Sequence, residues 1–202
     1  MKSLFESASD PIFLDLPDAD IIYYPQFFDK QAADIIFASL AQEIPWQQDE
    51  IRVYGKIHPQ PRLTALFGNE GKSYSYSNIT MQPHPWSLLL QKLKTAIEKV
   101  TETKFTTVLL NQYRDGKDSN GWHADNEKEL GTNPVIASLS FGAERTFQLK
   151  HNLDKDLKKN IILQHGSLLL MKGTTQHFWK HQIPKTAKTI GPRINGTFRV
   201  IK

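Results

Sequence analysis

The chain has 202 residues, 39% of them hydrophobic and 23% charged, enough length and apolar content to bury one sizeable core. No run approaches the roughly 18 apolar residues of a membrane helix, and the opening residues lack the basic and apolar regions of a secretory leader. An intracellular protein with no membrane partner is expected, in the cytoplasm of a bacterium or the nucleus of a eukaryote. There are no cysteines, which excludes disulfides, iron–sulfur clusters, thiolate zinc sites and cysteine nucleophiles, so any metal must sit on His, Asp or Glu.

The net charge of +4 hides an asymmetry. Residues 1–50 carry ten acidic and two basic side chains, whereas Leu157 to Lys202 holds nine Lys or Arg and no acid. A one-signed field of this kind suits a polyanionic or anionic partner.

Residues 1–20, acidic and containing Pro11 and Pro17, read as an arm, and residues 21–202 as a single domain. Asp29 is placed to cap a helix whose Ala33, Ile36, Phe37 and Leu40 recur at helical spacing, with Pro45 ending it. Glu50–Ile57 alternates as a strand or hairpin, and the stretch from Gln60 to Asn78 reads as irregular. A second helix is expected from Pro85, with Leu89, Leu93, Ala96, Ile97 and Val100 on its apolar face. Short β-rich runs follow at Phe105–Tyr113, Val135–Phe141, Thr146–Leu149, Ile161–Leu163, Ser167–Met171, His177–Ile183 and Ile194–Ile201. Two helices followed by strands with no helix-length segment between them indicate an α+β protein with an antiparallel sandwich or jelly roll core.

The most informative segment is Gly121-Trp122-His123-Ala124-Asp125. On or beside a strand, His123 and Asp125 project to the same side, so an imidazole nitrogen and a carboxylate oxygen can share one ion. His181, 56 residues beyond Asp125, is the natural third ligand, with His151, His165 and His177 as rivals. Two His and one carboxylate leave open positions on a metal, as in non-haem Fe(II) oxygenases, and zinc hydrolases use similar ligands. Near the end, Arg193, Asn195, Thr197 and Arg199 alternate with Ile194 and Phe198. One face of such a strand carries two guanidiniums, whose forked donors match a dicarboxylate.

This order of motifs, HxD, a later His and RxNxTxR, resembles the AlkB family of Fe(II)- and 2-oxoglutarate-dependent nucleic-acid dioxygenases. Asn111-Gln112-Tyr113, Ser140-Phe141-Gly142-Ala143, His165-Gly166-Ser167-Leu168-Leu169 and Trp179-Lys180-His181-Gln182-Ile183-Pro184 agree with it, and the likeness runs from about Arg52 to Ile201. The resemblance implies a double-stranded β-helix, or jelly roll, with N-terminal helices and a nucleotide-recognition lid over about residues 50–80. It makes His123, Asp125 and His181 the Fe(II) ligands, and Asn111, Tyr113, Arg193, Asn195 and Arg199 the residues that hold 2-oxoglutarate. With O2, that chemistry yields succinate and CO2 and hydroxylates an N-methyl group, which leaves as formaldehyde.

The implied partner is alkylated DNA or RNA bearing 1-methyladenine or 3-methylcytosine, acted on by a monomer in direct reversal of damage. A flipped base has to be held between flat side chains, and the resemblance assigns that wall to Tyr74 and Tyr76. Tyr54 sits where duplex-acting relatives carry a wedge, and Arg62 matches a position beside the base and its phosphate. Glu127 matches an acidic residue that favours cationic lesions, while Asn126 departs from an acidic residue often found there. Lys185 and Lys188, with Lys150, Lys155, Lys158 and Lys159, would contact phosphates. Two other readings remain open at this point: the same cofactor site acting on a protein or lipid substrate, and a cupin-like domain that binds nucleic acid without catalysis.

Overall fold

The computed structural model describes residues 10–53, 56–72, 74–76 and 79–202. In chain order, strands β1 (Ile12–Leu14) and β2 (Asp20–Tyr24) precede helix α1 (Lys30–Glu43). Strands β3 (Glu50–Val53), β4 (Lys56–Pro59), β5 (Leu63–Gly68), β6 (Tyr74–Tyr76) and β7 (Ile79–Met81) follow, then helix α2 (Leu88–Thr101). The remainder is strand: β8 (Thr107–Tyr113), β9 (Asn120–His123), β10 (Ile136–Gly142), β11 (Arg145–His151), β12 (Lys158–Leu163), β13 (Ser167–Lys172), β14 (Trp179–Ile183) and β15 (Arg193–Arg199), with a helical turn α3 (Thr175–Phe178) before β14. Among the described residues, no helix is long and apolar enough to cross a membrane.

From β8 onward the chain shuttles between two antiparallel sheets. Seven strands lie in the order β1-β2-β13-β10-β15-β8-β5, and four in the order β12-β11-β14-β9. This is a jelly roll on an α+β plan, and it leaves β3–β4 and β6–β7 as separate hairpins. The large sheet is covered on both faces. Ile194 and Phe198 of β15 join the core that α1 and α2 close with Ile36, Leu40, Leu90, Leu93 and Ile97. The opposite face packs Leu109, Ile136, Leu169 and Met171 against Phe147, Leu149 and Ile183 of the small sheet. Arg193, Asn195, Thr197 and Arg199, at the intervening positions of β15, therefore point into the space between the sheets.

Local chemistry sets the helix boundaries. The Asp29 carboxylate accepts from the backbone N–H of Ala32 at 2.8 Å, which starts α1 as its sequence predicts. Helix α2 begins three residues later than expected: Ser87 caps it through Leu90 N–H, and Pro85 and Trp86 stay outside. Two further expectations are corrected, for Leu63–Gly68 and for His177. Leu63–Gly68 is a strand, and almost wholly buried, so it shows no polar alternation to mark it. His177 belongs to a helical turn, and the strand starts at Trp179. Residues 12–14 of the acidic arm pair with β2 as the edge of the large sheet.

One glycine is dictated by geometry. Gly142 ends β10 at φ +86°, and a Cβ there would collide with Pro192 O and the Phe37 ring.

Candidate active site

β9 and β14 are neighbours in the small sheet, and their register places His123 directly opposite His181. The HxD spacing then carries Asp125 to the same side just past the end of β9. The ligand atoms of His123, Asp125 and His181 all lie within 4.8 Å of one another, the one such group among the described residues. The three rival histidines are engaged elsewhere. His165 accepts from Gly142 N–H and meets Asp34, His177 pairs with Asn133, and His151 accepts from Leu153 and Asp154 N–H.

The three groups are prepared to bind a cation. Gly121 O accepts from His123 Nδ1 at 2.7 Å, which fixes the tautomer and leaves the Nε2 lone pair for a ligand. Asn120 Nδ2 lies 3.3 Å from that Nε2, and the Phe147 ring stacks on His181 at 5.0 Å. Burial pushes His181 down to about 3, aided by neighbouring His123, and burial also lowers His123, so both imidazoles are neutral at pH 7. Burial alone would raise the Asp125 carboxyl, but the Arg199 guanidinium and the two imidazoles hold it at about 2. Gln176 of α3 accepts from Asp125 N–H at 2.8 Å through its side-chain oxygen.

The triad opens into a cavity of about 150 Å³ between the sheets, lined also by Arg62, Asn111, Tyr113, Glu127, Arg193, Asn195 and Arg199. Arg199 Nη2 donates to Asp125 Oδ1. Arg193 is 2% exposed; its Nη2 donates to Ser140 Oγ at 2.9 Å and its guanidinium lies 5.1 Å from the Tyr113 ring centre. Its Nε and Nη1 have no hydrogen-bond partner among the described residues. Burial lowers Arg193 to about 10, which leaves it protonated at neutral pH. A buried fork with two idle donors is costly until an acceptor arrives. Asn195 donates to Ser138 Oγ and Leu139 O, and its Oδ1 accepts from Asn111 Nδ2 and Thr197 Oγ1.

This chemistry fits Fe(II) with a keto acid. Two neutral imidazoles and one carboxylate suit a borderline divalent ion, and the idle Arg193 donors suit a carboxylate. Around the cavity three guanidiniums face two carboxylates before any metal is counted.

The structure thus gathers every sequence-expected metal ligand and keto-acid residue into one cavity. Arg62 and Glu127 line it as well. Lys185 and Lys188 are exposed on the loop after β14, and Lys188 borders a separate hollow beside Arg145 and Ile162. Lys150 stands directly opposite Lys158 on one side and Lys180 on the other, a row across the outer face of the small sheet, and its ammonium lies 4.3 Å from the Trp122 ring centre. Tyr54 lies outside the described residues. Tyr74 and Tyr76 are on β6, and their side chains also fall outside the description. Ser138, Ser140, Asn120 and Gln176 were not anticipated. Of these only the two serines carried a signal, the period-two spacing of polar residues in Ser138-Leu139-Ser140.

The chain matches the 2OG-Fe(II) oxygenase superfamily over residues 20–199. It is 44% identical over 190 residues to mouse alpha-ketoglutarate-dependent dioxygenase alkB homolog 3, an alignment covering 90% of this chain and 66% of that protein. The chain thus spans slightly less than two thirds of that relative's length. It is 37% identical over 188 residues to human DNA oxidative demethylase ALKBH2, covering 88% of this chain and 72% of the relative. The solved structure of OsALKBH1 shares the fold, with a TM-score of 0.68 at 17% identity over 95% of this chain and 100% of that one.

Proposed function

The chain belongs to the 2OG-Fe(II) oxygenase superfamily and, within it, to the AlkB-type dioxygenases, and from that premise we propose that it oxidatively demethylates N-alkylated bases such as 1-methyladenine and 3-methylcytosine in DNA or RNA. The observation that carries the reading is the convergence of His123, Asp125 and His181 on a cavity that the buried guanidinium of Arg193 also lines. His123, Asp125 and His181 would hold Fe(II), and Arg193 with Asn111, Tyr113, Asn195 and Arg199 would hold 2-oxoglutarate. When bound, the metal, keto acid and O2 supply oxidative decarboxylation coupled to hydroxylation of an inert C–H bond.

The protein's own contribution is position and dryness. Arg199 keeps Asp125 ionised and fixes one of its oxygens, while Gly121 O and the Phe147 ring fix the planes of the two imidazoles. Leu109, Leu163 and Met171 exclude water from the inner wall. The hydroxymethyl product on a ring nitrogen loses formaldehyde without help from a side chain, so no protein nucleophile is needed.

A nucleic-acid substrate is supported by the lysine row. Three like charges in direct cross-strand register destabilise a sheet, and a phosphate backbone crossing Lys158, Lys150 and Lys180 relieves that repulsion. Glu127 in the cavity lining favours the cationic charge of such lesions over the neutral base. The reading is tested by incubating the protein with Fe(II), 2-oxoglutarate and oligonucleotides bearing defined lesions, single- and double-stranded, and following loss of methyl mass. Succinate formation that does not respond to any methylated oligonucleotide would overturn it.

A further inference from the structure

Arg62 follows the β3–β4 hairpin and is 6% exposed. Its guanidinium makes no ion pair among the described residues. Its bonds go to two other places. Nε donates to Asn111 Oδ1 at 2.8 Å, and Nη1 donates to Ser119 O at 3.3 Å. Ser119 N–H in turn donates to Pro61 O, and Ser119 immediately precedes β9, the strand that ends at His123. Asn111, with its oxygen held by Arg62, turns its Nδ2 toward Asn195 Oδ1, and Asn195 is clamped by Ser138, Leu139 O and Thr197. Arg62 therefore heads a continuous line of hydrogen bonds from the root of a hairpin to two amides that line the cavity.

An amide has two ends and no preferred way round until a neighbour fixes it. A donor at Oδ1 forces Asn111 to present its NH2 group toward Asn195 Oδ1, an oxygen that Leu139 O already orients by accepting from Asn195 Nδ2. An Arg whose task was to grip a phosphate would keep its fork in solvent, where desolvation costs nothing. This one is sunk and commits its Nε to an amide.

We propose that Arg62 is a positioning residue for the keto acid, holding Asn111 in the orientation that meets Asn195, and not a contact to the base or its phosphate. The proposal rests on the co-substrate reading given above, and its test separates the two.

The test is calorimetric titration of 2-oxoglutarate into Mn(II)-loaded protein with no nucleic acid present, for the wild type, Arg62→Met and Arg62→Gln. Gln places an N–H donor at the fourth side-chain atom, where Arg has Nε, and Met places a methyl group there. Loss of a buried hydrogen bond to a charged donor predicts about tenfold weaker keto-acid binding for Arg62→Met, with most of it restored by Arg62→Gln, at unchanged Mn(II) affinity. A phosphate-gripping role predicts the opposite pattern: keto-acid binding as in the wild type, and oligonucleotide binding weakened equally by both neutral variants. That result overturns the proposal. Should Arg62→Met fail to fold, Arg62→Lys decides in its place, since it keeps the charge but has a methylene where Nε stood; wild-type keto-acid affinity in that variant overturns the proposal. If the wild type itself binds no 2-oxoglutarate, the co-substrate reading fails first and takes this inference with it.

Discussion

Arg199 Nη2 lies 2.8 Å from Asp125 Oδ1, and both side chains are buried. This pair joins the last strand of the large sheet to the end of β9 and links the metal ligands to the guanidinium face of β15. Breaking a buried pair leaves one uncompensated charge in a low-dielectric site, which costs about 3–5 kcal/mol. Arg199→Met should therefore lower the unfolding free energy of the metal-free protein by that amount. Combining it with Asp125→Asn should cost less than the sum of the single changes, because the orphaned charge is then removed. Denaturant melts of the four proteins check both statements; strict additivity would mean that the pair contributes no coupling.

Asp125→Ala and His181→Ala each remove a ligand atom and should abolish Mn(II) binding and keto-acid turnover. Gln176→Ala removes only the acceptor for Asp125 N–H, and a change behind a ligand should weaken Mn(II) by about tenfold. Calorimetric titration with Mn(II) distinguishes the two classes, and full Mn(II) affinity in Asp125→Ala would contradict the triad.

Arg193→Met takes away a buried cation whose Nε and Nη1 find no acceptor among the described residues. The ligand-free protein should gain about 1–3 kcal/mol of stability, while 2-oxoglutarate no longer raises its melting temperature. A variant that loses stability and still responds to the keto acid would show that Arg193 is structural.

Asp118 ties the loop between β8 and β9. Its carboxylate accepts from Arg114 N–H at 2.9 Å and from Arg114 Nε and Nη2. Burial alone would raise its pKa, but Arg114 wins and holds it below the usual 3.8. Because the folded value is depressed, this stabilisation is present above the unfolded value and lost as pH falls through the folded one. Asp118→Asn should cost about 1–2 kcal/mol at neutral pH and flatten the loss of stability below about pH 4. Melting temperatures between neutral pH and about pH 2 provide the check.

Replacing Lys150, Lys158 and Lys180 by Ala should weaken oligonucleotide binding most at low salt. The slope of log affinity against log salt should become shallower by up to about 0.7 for each phosphate no longer neutralised on a single strand. The same variant should melt slightly higher without ligand, since the cross-strand repulsion is gone. A salt slope equal to that of the wild type would remove this face from the interface.

The HxD pair and the guanidinium face of β15 were legible in the chain because their spacing is local chemistry, whereas Asn111 and Tyr113 entered only through the family resemblance. His123 and Asp125 share a side by the two-residue period of extended backbone, and Arg193, Asn195, Thr197 and Arg199 share one by the same rule. The capped start of α1 was legible because one carboxylate at Asp29 satisfies it. Leu63–Gly68 was not, since a strand buried on both faces carries no alternation to read. The opposition of His123 and His181 depends on the pairing of two strands that lie far apart along the chain. The sequence put His181 ahead of His151, His165 and His177, and what packs around each imidazole sets the rivals apart from the site. Arg62 is the clearest case: sequence determined its type and its place after a hairpin, but only the packing of β5 against β8 sets its guanidinium on Asn111. A hydrogen-bond partner is fixed by which surfaces meet, and that information is spread over the whole chain.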